Sequence, residues 1–166
     1  MRFASSDIKR VIDRFHERLT TYRQALNDLN VYPVPDGDTG TNMALTLTAV
    51  GEELTAAPDD LAAVCKAISH GSLMGARGNS GVILSQILRG LSGVVVDAGG
   101  LDGASTAAAL AAASKAAYEA VMRPVEGTIL TVAREASEAA VAILPTPMMQ
   151  TSVPWRIRRA LRPRPT

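Results

Sequence analysis

Apolar residues recur along this chain every three or four positions, a spacing that dictates helices rather than strands. The longest run is Ile8, Val11, Ile12, Phe15, Leu19, Tyr22, Leu26 and Leu29, which holds one stripe for about six turns. Ser5 or Ser6 is its expected cap. Met43, Leu47, Val50 and Leu54 mark a second helix, and Pro58-Asp59-Asp60 opens a third through Leu61, Val64, Cys65 and Ile68, closed at His70 and Gly71. Val82, Ile83, Ile87, Leu88 and Leu91 give a fourth, and an alanine-rich segment from about Ala104 to Met122 a fifth, stopped at Arg123-Pro124. The sixth follows Glu126-Gly127-Thr128, with Ile129, Val132, Ala133, Ala136, Ala140 and Ile143 expected inward and Arg134, Glu135 and Glu138 outward. Val94-Val95-Val96 could form a strand but would have nothing to pair with, and Asp97 to Gly103 reads as a loop. The expected class is all-α, an array of antiparallel amphipathic helices.

The joint between the first two helices differs from the others. Asn30 to Met43 reads Asn-Val-Tyr-Pro-Val-Pro-Asp-Gly-Asp-Thr-Gly-Thr-Asn-Met. Pro33 and Pro35 stop the preceding helix, and Asp36 and Asp38 stand one glycine apart. Two neighbouring carboxylates repel unless a cation joins them, and hard oxygen ligands select Mg²⁺ or Ca²⁺. An EF-hand starting at Asp36 would need Asp or Asn, Gly and Glu where the chain has Gly40, Thr41 and Leu47, so that reading fails. A magnesium shared between the carboxylates and nucleotide phosphates fits better, with a solvated Asp-Gly turn as the plain alternative. The helix opening at Thr39, Gly40, Thr41 and Asn42 would offer free N–H groups to a phosphate.

Gly71, Gly75, Gly78 and Gly81 punctuate a second joint, where a tight turn can converge N–H groups on an anion. Neither a Walker A string nor Gly-x-Gly-x-x-Gly occurs in the chain. Alone this segment reads as a connection; paired with Asp36 and Asp38 it becomes the other jaw of a site.

The Asn30–Met43 stretch resembles the metal loop of the ATP-binding (DhaL-type) domain of the dihydroxyacetone kinase family, and its Asn-Val-Tyr-Pro-Val-Pro lead-in is most similar to the fatty acid kinase branch. Gly71 to Ser85 and Arg123 to Ala136 match the same family in the same order. The resemblance covers about residues 5 to 143 and implies a ring or barrel of helices, incomplete here at the C-terminus. It implies that Asp36 and Asp38 hold one or two Mg²⁺ ions, with Asn30 as a third ligand, and that ATP is the phosphate donor. By the same resemblance Thr39, Gly40, Thr41 and Asn42, then Gly78, Asn79, Ser80 and Gly81, and then Thr128 face the nucleotide. Arg77 would stabilise transition-state charge or be a surface arginine. Adenine would lie against Leu73 or Met74. The acceptor would be held by a partner, either a fatty acid on a DegV-type carrier or dihydroxyacetone (glycerone) on another subunit, and a homodimer is compatible with this. The implied activity is that of a phosphotransferase; a magnesium-nucleotide binding module without turnover is the alternative, and an inert helical fragment a third.

Composition bounds what remains. The 166 residues suffice for one domain with its own core, and 47% hydrophobic with only 4% aromatic residues suits closely packed helices. Cys65 is the single cysteine, which excludes an internal disulfide framework and suits a reducing cytosol. His16 is read as a surface or packing residue. No apolar run is expected to approach the roughly 18 residues of a membrane span, and a cytoplasmic location follows. Five of the 17 basic residues (Arg156, Arg158, Arg159, Arg162, Arg164) fall beyond Leu144, leaving 12 basic against 16 acidic side chains before it, a balance that does not favour nucleic acid. Residues 144–166, rich in proline and arginine, are set apart from the 1–143 domain, either as a disordered extension or as unrelated sequence such as a frameshift leaves. Trp155 among those arginines would be at most a weak membrane or nucleic-acid hook.

Overall fold

A computed structural model describes residues 2–32 and 34–144. Pro33 and the segment 145–166, with the tail expectations attached to it, lie outside the described residues. Among the described residues seven helices follow in order: α1 Ser5–Thr21, α2 Arg23–Asp28, α3 Thr39–Ala56, α4 Leu61–Met74, α5 Gly78–Ala98, α6 Gly103–Glu119 and α7 Ile129–Ala142. No strand occurs among the described residues; a lone bridge joins Phe3 to Leu101 (N–O 2.8 Å). The all-α expectation holds.

The first stripe is divided between two helices. The Thr21 hydroxyl donates to the Glu17 carbonyl one turn back (2.8 Å), a bond that bends helices, and Tyr22 leaves helical geometry at φ −98°, ψ 11°. The cap of α1 is Ala4, not Ser5 or Ser6: the Phe3 bridge fixes the chain one residue earlier, and the Asp7 carboxylate accepts the Ala4 N–H (3.0 Å). Asp60 caps α4 as its position suggested, accepting from Ala63 N (2.8 Å).

Gly71 does not end α4. It lies where α4 crosses α3, and a Cβ there would sit 3.0 Å from the Ala49 carbonyl oxygen and Val50 Cα. The helix therefore continues to Met74, with glycine serving close approach instead of termination. Likewise α5 runs straight through Val94–Val96 to Ala98 and stops at Gly99 in the left-handed region (φ 65°), whose N–H bonds the Val96 carbonyl.

The expectation that nothing approaches a membrane span is corrected by α5, a 21-residue helix long and apolar enough by length and composition. Its place explains that composition: it packs against α3, α4 and α6 and buries Leu84, Ser85, Leu88, Val94 and Val95.

The main core gathers Ile8, Ile12 and Leu19 of α1 with Met43, Leu47, Val50 and Leu54 of α3, Val64, Cys65 and Ile68 of α4, and Leu84, Leu88 and Val95 of α5. The α5–α6 contact uses small residues, with Ala104, Ala108 and Ala109 buried against Val94. On α7 the buried side chains are Leu130 and Ser137, whereas Val132 (68% exposed) and Ile143 (81%) face solvent, and Ala136 is exposed too. The inward face predicted for this helix is thus corrected in part: Ile129 packs on the core and Ala133 and Ala140 are half-buried, but Val132, Ala136 and Ile143 are left outside because α7 packs chiefly on α6, which covers one narrow stripe.

Candidate functional site

Short connections join α3 to α4, α4 to α5 and α5 to α6, and each of these pairs packs together, so the chain reverses at every joint. The starts of α3 and α5 therefore share one end of the bundle. Packing of α6 against α7 brings the start of α7 towards that same end, and Ile129, its first residue, touches the main core.

The start of α3 is held from outside. Asp38 is its N-cap, a position where aspartate ordinarily accepts the N–H two or three residues on, yet its side chain makes no capping bond. Two asparagines take donors at this helix start instead: Asn27 the Thr41 N–H, three residues on, and Asn30 the N–H groups of Asp38 and Thr39. Asn30 Oδ1 accepts from Asp38 N (3.3 Å), Thr39 N (3.1 Å) and the Thr39 hydroxyl (2.6 Å), while its Nδ2 donates to the Val34 carbonyl (2.8 Å). Asn27 Oδ1 accepts from Thr41 N (3.1 Å) and its Nδ2 donates to Thr41 Oγ1 (2.9 Å). Asn30 thus ties both ends of the Val34–Asp38 loop, with the two carboxylates between its anchor points.

Gly37 adopts φ 63°, the left-handed turn that separates Asp36 from Asp38. Asp36 is exposed and Asp38 half-buried. Among the described residues neither carboxylate enters an ion pair or accepts a side-chain hydrogen bond. Nor does any group of three or more His, Cys, Asp or Glu converge. Two hard oxygen donors with no protein partner cannot close a structural cage of the zinc type. They do fit Mg²⁺, which keeps several waters and takes phosphate oxygens beside one or two carboxylates.

The second jaw lies against the first. Gly78 opens α5 with φ 57°, and a Cβ on it would collide with Asn42 Nδ2, so the Asn42 amide rests on the α5 backbone. Gly81 is buried, its Cβ position 2.6 Å from Thr46 Oγ1. Asn79 is exposed, Ser80 half-buried, and Arg77, the exposed N-cap of α5, donates to the Ala76 carbonyl (3.0 Å). Leu73 and Met74, at the end of α4, are exposed.

Two expectations change in detail. Gly40 is buried in a packing contact, where a Cβ would strike the Arg23 carbonyl oxygen of α2. The α3 start is also not a set of free donors, because the N–H groups of Thr39 and Thr41 are already bonded. The Thr39 hydroxyl donates to Asn30, whereas Thr41 Oγ1 accepts a hydrogen bond from Asn27 Nδ2 and keeps its own proton to give. Asn27 is the residue that sequence reasoning missed; its only signal was a spacing of three from Asn30 at the end of a helix.

Thr128 caps α7, accepting from Leu130 N (3.3 Å) and donating to the Val125 carbonyl (2.8 Å). The loop before it hangs on Glu126, which accepts from the Tyr118 hydroxyl (2.7 Å), the Thr131 hydroxyl (2.7 Å) and Arg134 (3.2 Å). These donors hold the Glu126 carboxyl below its ordinary range, Thr131 most of all and Tyr118 next, and the same network raises the Arg134 guanidinium.

Comparison with known proteins identifies the family. The DAK2 domain matches residues 33–153, reaching past the boundary at 143 that the sequence suggested. YloV of Bacillus subtilis (strain 168) is 50% identical over 128 residues, which cover 76% of this chain and 23% of that protein. Uncharacterised proteins of Staphylococcus aureus (strain bovine RF122 / ET3-1) and Staphylococcus haemolyticus (strain JCSC1435) are each 48% identical over 126 residues, covering 75% of this chain and 23% of theirs. The chain thus spans about a quarter of the length of these relatives. The matched stretch takes in the acidic loop, the glycine jaw and the Thr128 cap together, and the chain belongs to the DAK2 domain family, whose kin are the dihydroxyacetone kinases.

Proposed function

We propose that this domain binds a magnesium–nucleotide complex between the starts of α3 and α5 and acts as the phosphoryl-donor part of a kinase whose acceptor is carried by a partner protein. The observation that supports it most is the contact of Asn42 with Gly78, which sets the starts of α3 and α5 side by side, next to two carboxylates that are unpaired among the described residues.

Phosphoryl transfer asks little covalent chemistry of a protein; it needs a held phosphate and neutralised charge. Asp36 and Asp38 would hold the magnesium, and when bound the ion supplies Lewis-acid neutralisation of phosphate charge. Thr41 has a hydroxyl proton to donate, and Asn79 and Ser80 carry donors at the opposite jaw. Arg77, exposed and without an ion pair among the described residues, is available to developing negative charge. Exposed Leu73 and Met74 offer apolar surface for a purine. A fatty acid on a carrier protein and dihydroxyacetone on a second subunit are the two acceptor classes that the family brings.

A second reading, a magnesium-nucleotide module without turnover on its own, is favoured by the exposed Val132 of α7 and Ile143 just past its end, apolar surface open to a partner that would complete the site. Thermal unfolding with and without Mg-ATP tests both, because a ligand specific to the folded state raises its stability by mass action. The expected result is a magnesium-dependent rise that disappears in Asp36→Ala/Asp38→Ala. Adding a purified acceptor-loaded partner then separates them: phosphate transfer supports the kinase, and binding without transfer supports the module. No rise in the wild type overturns both.

A further inference from the structure

We propose that Asn27 is a positioning residue that replaces Asp38 as the cap of α3 and thereby leaves the Asp38 carboxylate available to a cation. This rests on the magnesium reading above for its cation, though not for its capping.

The N–H at the third helical position is the usual partner of an N-cap aspartate. Here that residue is Thr41, and its N–H already bonds Asn27 Oδ1 at 3.1 Å. The second bond, from Asn27 Nδ2 to Thr41 Oγ1 at 2.9 Å, makes the grip two-pronged and fixes the amide orientation. Asn30 completes the arrangement by accepting from Asp38 N and Thr39 N. With those donors taken, Asp38 occupies a cap position without capping. Asp60 and Asp102 behave differently: at the starts of α4 and α6 they accept from Ala63 N and Ser105 N. Of these three aspartate caps, only the one in the acidic loop is relieved of the duty, and the relief comes from Asn27. Asn30 falls into the same role, since its oxygen already accepts three hydrogen bonds and its function is to brace the loop instead of coordinating the ion.

Removing Asn27 frees the Thr41 N–H, and Asp38 then turns inward to accept it. The helix keeps a cap while the cation loses a ligand. Hydrogen exchange of the metal-free protein reads the first half: the Thr41 amide stays protected in Asn27→Ala and loses protection in Asn27→Ala/Asp38→Ala. Calorimetric titration with Mg-ATP reads the second half, with affinity falling on the order of tenfold in Asn27→Ala, the usual effect of removing a group that orients a ligand. A merely structural asparagine predicts the opposite pattern, a lowered melting temperature with Thr41 exposed in the single variant and magnesium affinity unchanged, and that result overturns the proposal. Should Asn27→Ala fail to fold, Asn27→Gln displaces the same amide by one methylene and serves the same comparison. A wild type that binds no Mg-ATP overturns the cation half and the site reading together, while the exchange measurement still decides whether Asn27 or Asp38 caps the helix.

Discussion

The side-chain amide of Asn42 lies against the backbone of Gly78, joining α3 to α5 where each helix begins. Gly78→Ala therefore meets two obstacles, a left-handed backbone (φ 57°) and a collision with Asn42 Nδ2. We expect it to destabilise the fold by about 1–2 kcal/mol through backbone strain. It should also abolish the Mg-ATP-induced rise in Tm while helix content by circular dichroism stays unchanged.

Leu47, fully buried at the centre of the core, separates stability from site chemistry. Leu47→Ala should lower the unfolding free energy by about 3 kcal/mol, from lost transfer energy plus a cavity. Urea denaturation measures this as a lower midpoint at unchanged slope.

Asp102 gives a pH signature. The Ser105 backbone N–H, and then the Ser105 hydroxyl, hold its carboxyl below the ordinary value of 3.8. A depressed native pKa means stability present above the unfolded value and lost as pH falls through the native one. Asp102→Ala should cost about 1 kcal/mol as a lost cap at pH 6–8. The difference from wild type should shrink below about pH 4, as thermal melts across that range will read.

Cys65 tests burial. Desolvation first, and the charge of Asp60 second, push its thiol up to about 11. The native protein should resist iodoacetamide even at pH 9, whereas urea-unfolded chain reacts rapidly because its thiol returns to a pKa of about 8.5. The sign for stability is opposite to that of Asp102: this contribution is complete below about 8.5 and fades as pH rises towards 11.

The helices were legible wherever local chemistry agreed with packing. Asp60 announced α4, and Thr128 capped α7 where Glu126-Gly127-Thr128 placed its start. What escaped was decided by neighbours distant in sequence. Gly71 looks like a stop signal until the α3 backbone is found where its Cβ would go, with Val50 Cα 3.0 Å from that position. Which side of α7 is buried depends chiefly on α6, so Leu130 and Ser137 turn inward where periodicity favoured Val132 and Ile143. In the candidate site the acids, the paired jaws and the threonines were visible as residue types in a pattern. The role of Asn27 was not, because a hydrogen bond across 14 positions of a folded turn leaves no trace in spacing.

The bridge between Phe3 and Leu101 has a kinetic meaning. The α3–α4, α4–α5 and α5–α6 pairs join neighbours in sequence and can form without a large loop to close, whereas Phe3 N must find a carbonyl nearly a hundred residues away. Helical hairpins should therefore assemble early and the amino-terminal strap last, so that in pulse-labelled refolding the Phe3 amide is among the final ones to gain protection.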